Sequence, residues 1–116
     1  MREANLNSAT SIEQILEREI RVLMYDAIGQ EPTDVDCQFI SRSDLAILIE
    51  NVRTPLEDFL DSSCEPDAVK RYRKGIEIAI SRKVQRLVEK TMERPIDRLS
   101  VTRKTETGWM GIFVFL

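Results

Sequence analysis

Residues 45–57, LAILIENVRTPLE, place a strand and a helix start back to back. Leu45, Ile47 and Ile49 alternate with Ala46 and Leu48, the two-residue period of a strand. Thr54 then stands as a helix N-cap, Pro55 takes the first helical position, and Glu57 follows the cap by three, the spacing of a capping box. None of these side chains is chemically reactive. The segment predicts architecture, and the rest of the chain can be hung on it.

Upstream, Val35, Cys37 and Phe39 alternate with Asp34, Asp36 and Gln38, and the polar run Ser41-Arg42-Ser43-Asp44 turns the chain back. The spacing predicts a hairpin. Before it, Ile12, Ile15, Leu16, Ile20, Leu23, Ala27 and Ile28 form a helical stripe. Thr10 or Ser11, with Glu13 or Gln14 three residues on, predicts its start, leaving residues 1–9 as a flexible N-terminal arm. Gly29 and Pro32 end it.

Downstream, a short helix over 55–60 should bury Leu56, Phe59 and Leu60. After the break at 61–66, Val69, Tyr72, Ile76, Ala79, Ile80, Val84, Leu87 and Val88 mark a second long helix from about Pro66 to Met92. Leu99 and Val101 alternate in a third strand, residues 105–108 turn, and residues 109–116 form the last strand. The expectation is one α+β domain over 10–116. It has a four-stranded antiparallel sheet with two long helices on one face, in the order α-β-β-(short α)-α-β-β. Glu31-Pro32-Thr33-Asp34 and Arg94-Pro95-Ile96-Asp97 each lead from a long helix into a hairpin, which hints at an internal duplication.

Two strands are apolar on both faces. Ala46 and Leu48 lie between the inward residues of the second strand, and Ile112-Phe113-Val114-Phe115 is unbroken in the last. A sheet with one wet face should alternate. The chain has no further helix to cover the second face, so another subunit or a partner is the predicted cover. Trp109, Ile112, Phe113, Val114, Phe115, Ala46 and Leu48 are the candidate interface, and a homodimer or larger homo-oligomer the predicted assembly.

Composition narrows the chemistry. The 116 residues include no histidine, which removes the commonest general base and metal ligand and the Ser-His-Asp and Cys-His nucleophile pairs. Four scattered glycines make no phosphate loop, and Asp34, Asp36 and Asp44 fit no calcium loop. No catalytic residue, metal or cofactor is assigned, and a non-enzymatic role is expected. Two cysteines make no disulfide framework, and the N-terminus has no apolar core of a signal peptide, so a cytoplasmic location is expected. No window reaches the ~20 apolar residues of a membrane helix, so no direct insertion is expected.

Residues 1–64 hold 5 Lys and Arg against 13 Asp and Glu, and residues 65–116 hold 12 against 7. Such halves can pack on each other or pair between subunits. Lys70, Arg71, Arg73 and Lys74 are the candidate anion or nucleic-acid contact on the second long helix. A solvated face, or pairing with Glu13, Glu17 and Glu19, is the default explanation of them, and the acidic total with few aromatics argues against nucleic acid. Cys64, in a polar break beside a helix start, is a candidate redox-sensing thiol, and a small-ligand sensor is the related alternative.

Residues 49–57, IENVRTPLE, resemble the strand-to-TPxE segment of the MpsC-like family. The charged helix with paired basic residues at 69–74, the last hairpin with Ser100-Val101 and the Thr105-Glu106-Thr107-Gly108 turn, and the apolar end at 112–115 are similar too. The resemblance covers about residues 12–116. It implies a soluble accessory or regulatory partner of a sodium- or bicarbonate-linked membrane system that generates membrane potential, and it carries over no catalytic residue. Together with the two-sided strands, it gives the expectation of an interaction or regulatory domain that self-associates.

Overall fold

A computed structural model describes residues 2–52, 54–63, 66–104 and 107–116, with side chains described from Ser11 onward except Ser63. The elements run α1 (Arg2–Ile28), β1 (Asp34–Phe39), β2 (Asp44–Glu50), α2 (Pro55–Ser63), α3 (Pro66–Met92), β3 (Arg98–Lys104) and β4 (Trp109–Phe115). The strands form one antiparallel sheet in the order β1-β2-β4-β3. This is an α+β fold. Each long helix leads into its own hairpin, and the second strands of the two hairpins, β2 and β4, meet at the centre.

Alternation sends every second strand residue to a common inner face. Val35, Cys37, Leu45, Ile47, Ile49, Met110, Ile112 and Val114 are buried there. Leu16, Ile20 and Met24 of α1 and Ile80, Val84 and Val88 of α3 close the same cluster at four-residue steps. Met24 belongs to the α1 stripe, whereas Ile15 is 37% exposed and lies at its edge.

Three local expectations need correction. Helix α1 begins at Arg2, earlier than the Thr10–Ser11 cap, because residues 2–9 contain neither Gly nor Pro to stop it propagating. Helix α2 does not bury Leu56 and Phe59, which are 47% and 61% exposed. The side chain it turns inward is Glu57, 1% exposed. Glu13 and Glu17 do not answer the basic residues of α3. Their carboxylates accept the β1 N–H groups of Phe39 and Cys37, each at 2.9 Å.

Two helix ends show how the chain exits. Gly29, at φ 75°, donates its N–H to the Tyr25 carbonyl at 2.8 Å. Helix α3 makes the same left-handed exit without glycine, with Glu93 at φ 57° and the Arg94 N–H on the Glu89 carbonyl at 3.3 Å.

Candidate functional site

The outer face of the sheet lies opposite the helices. In register, its two middle rows are Asp36, Leu48, Gly111 and Thr102, and then Gln38, Ala46, Phe113 and Ser100. The end rows carry charge. Asp34, Glu50 and, across β4 by continuation of the register, Trp109 and Lys104 form one; Asp44, Phe115 and Arg98 form the other. The charged residues on the β1–β2 half of this face are therefore all acids, and those on the β3–β4 half all bases. Between the charged ends lies an apolar centre.

That centre is shaped. The Trp109 ring lies over Gly111, where an added Cβ would meet it at 3.0 Å. Phe113 stands up beside it, 41% exposed. Ala46, Leu48, Trp109, Gly111 and Phe113 line a shallow groove of about 250 Å³ with Asp36 and Gln38 at its rim. Phe115 is partly covered by the Arg98 guanidinium, 4.6 Å from its ring centre.

The seven residues of the candidate interface thus divide between two faces. Ala46, Leu48, Trp109, Phe113 and Phe115 are on the outer face. Ile112 and Val114 are not: both are fully buried against the helices, since successive residues of a strand point to opposite faces and these two alternate with Phe113 and Phe115. The continuous apolar run of β4 is the sum of a helix-covered side and an uncovered one.

The sheet's edges differ. Glu13 and Glu17, one turn apart on α1, occupy two outward-pointing N–H groups of β1, those of Phe39 and Cys37, and so obstruct that edge to another strand. The other edge is β3, which pairs only with β4 within the sheet.

The TPLE segment lies at one end of the sheet and is a structural lock. The Glu57 N–H donates to Thr54 Oγ1 at 3.1 Å, so the N-cap forms as its spacing predicts. A capping box would turn the Glu57 carboxylate back to the Thr54 N–H. Here the carboxylate accepts from Arg103 Nη2 of β3, both side chains being 1% exposed. The same nitrogen donates to the Val52 carbonyl at 2.6 Å. Tyr72 of α3 completes the cluster, its hydroxyl 3.1 Å from Thr54 Oγ1. Sequence reasoning missed this pair. A signal was present: in RLSVTRK, Arg103 occupies the inward position after Leu99 and Val101.

The basic candidates on α3 separate. Arg73 is held by both carboxylate oxygens of Asp61, at 2.7 and 3.0 Å, while Lys70, Arg71 and Lys74 are exposed. Cys64 lies outside the described residues. Cys37 is a buried thiol whose pKa is driven far above its ordinary value by desolvation, with Glu17, Asp36 and Glu13 adding to the shift. Asp34 pairs with Arg21 of α1 at 3.3 Å.

The chain matches a family model described as "Na+-translocating membrane potential-generating system (MpsC)" over residues 8–116, nearly its whole length. The chain belongs to the MpsC family. No curated protein and no solved structure matches it. The family's description ties MpsC to a sodium-translocating membrane system. Among the described residues of this member, no helix is long and apolar enough to cross a membrane.

Proposed function

We propose that this MpsC domain is a non-enzymatic accessory subunit that self-associates through the outer face of its sheet. From the cytoplasmic side, it regulates or organises a sodium- or bicarbonate-linked membrane system without entering the bilayer. The observation that carries this reading is the apolar centre of the outer face. A single antiparallel sheet with a wet face carries polar residues there, whereas here Ala46, Leu48, Trp109 and Phe113 form a groove bounded by charged rows. The family's link to a membrane system gives the setting. The lack of any histidine supports a binding role over a catalytic one.

Light scattering of the purified chain at micromolar concentration tests the self-association. A dimer or larger species is expected, and Phe113→Asp should give a monomer that keeps its helical circular dichroism, because Phe113 contributes nothing to the helix-covered core. A wild-type chain that stays monomeric at several hundred micromolar would refute the reading.

A further inference from the structure

Resting on that self-association, the geometry points to one arrangement of the two copies. Their sheets stack face to face about a twofold axis lying between them, parallel to the strands and midway between β2 and β4. Rotation about this axis keeps each row and reverses its order. β1 then lies over the partner's β3, and β2 over the partner's β4.

The end rows bring unlike charges together, and the middle rows bring apolar centre onto apolar centre with Asp36 opposite the partner's Thr102 and Gln38 opposite the partner's Ser100. Asp34 comes opposite the partner's Lys104, and Asp44 opposite the partner's Phe115, beside the Arg98 that covers that ring. In the middle rows Ala46 comes opposite the partner's Phe113, and Leu48 opposite the partner's Gly111 with its overlying Trp109 ring. The small Ala46 thus faces the large Phe113, as interdigitating sheets require, and Leu48 meets the apolar Trp109 ring. Stacked sheets stand about 10 Å apart, a gap that Lys and Arg side chains span.

The other in-plane twofold, perpendicular to the strands, keeps the columns and reverses the rows. It sets Lys104 against the partner's Arg98 and Glu50 against the partner's Asp44, like charge on like at both ends. Such juxtapositions exclude a mode rather than merely weaken it. Edge-to-edge extension through β1 is obstructed by Glu13 and Glu17. Charge and shape therefore favour the same axis.

Dimer dissociation constants of the full chain, measured by analytical ultracentrifugation for wild type, Lys104→Glu, Asp34→Lys and an equimolar mixture of the two variants, test the axis. Each variant alone puts like charges together twice and should weaken the dimer about tenfold or more. The mixture should recover to within about threefold of wild type, because the heterodimer restores an unlike pair at both positions. Under the perpendicular axis, Lys104→Glu would face the partner's Arg98 and tighten the dimer. Tightening, or no change, overturns the proposed axis while leaving self-association standing. A monomeric wild type overturns the underlying reading instead. Asp34 also holds Arg21, so melting temperatures accompany each variant; if Asp34→Lys unfolds, the direction of the Lys104→Glu effect decides alone.

Discussion

Arg103 shows how one residue organises a corner of the molecule. Its guanidinium is buried, ties β3 to Glu57 of α2, and bonds the Val52 carbonyl just beyond β2. Two of its nitrogens, Nε and Nη1, are buried with no hydrogen-bond partner among the described residues. A buried ion pair contributes little net stability against apolar replacements, but stranding one partner costs roughly 3–5 kcal/mol. Arg103→Ala should therefore lower the unfolding free energy by about that much in urea titration. The Glu57→Leu, Arg103→Met double variant, which replaces both partners by apolar groups, should recover most of it. An Arg103→Ala protein as stable as wild type would show that the pair is solvated in solution.

Cys37 gives a residue-scale prediction with a sign. Burial and nearby carboxylates raise its folded pKa above the ordinary 9.0, so the thiol stays protonated in the native state. The unfolded chain loses that proton first. Stability is thus unaffected by this group below about pH 9 and falls as pH rises beyond it. At neutral pH, iodoacetamide should leave Cys37 unmodified until denaturant opens the core; mass spectrometry of the peptide containing it reads this directly. Rapid labelling of native protein would contradict the burial.

At the scale of elements, α1 does two jobs with two faces. Leu16, Ile20 and Met24 fill the core. Glu13 and Glu17 reach the edge of β1 and occupy two N–H groups that a further strand would otherwise take. Hydrogen bonds to a charged group contribute about 1.5–3 kcal/mol each. Glu13→Ala with Glu17→Ala should destabilise the fold by a few kcal/mol on that scale and open the β1 edge. Seeded thioflavin assays and turbidity should then rise relative to wild type, and an unchanged aggregation rate would argue that the glutamates do not guard this edge. Helix α2 makes the complementary point. Its apolar residues suggested Leu56 and Phe59 as the buried ones, but a short helix with one strong inward anchor turns as that anchor dictates. Glu57 on Arg103 is the anchor.

For the whole molecule, the charge division written into the two halves of the sequence reappears as geometry. Acids of the first hairpin and bases of the second lie on opposite sides of the outer sheet face, because the strand order β1-β2-β4-β3 puts one hairpin on each side. The bland explanation, that the halves neutralise each other within the chain, accounts for Asp61 with Arg73 and Glu57 with Arg103. It leaves Asp36, Glu50, Arg98 and Lys104 on the open face.

The elements, their order and the inward residues of the strands were legible along the chain, because hydrophobic period and helix punctuation are local properties and the core obeys them. The N-cap at Thr54 and the glycine exit at position 29 were legible for the same reason. What pairs across long separations was not. That Ile112 and Val114 face helices while Phe113 faces outward follows from which side of β4 the helices cover. The Glu57–Arg103 pair spans 46 positions, and no local pattern couples them. By itself the sequence determined the elements, the family resemblance and the presence of two-sided strands. Only the tertiary structure decided which of those sides is left open. It also turned residues 45–57 from a well-marked strand and helix start into a central strand bordering the open face and a buried ionic lock, because both depend on which strands become neighbours.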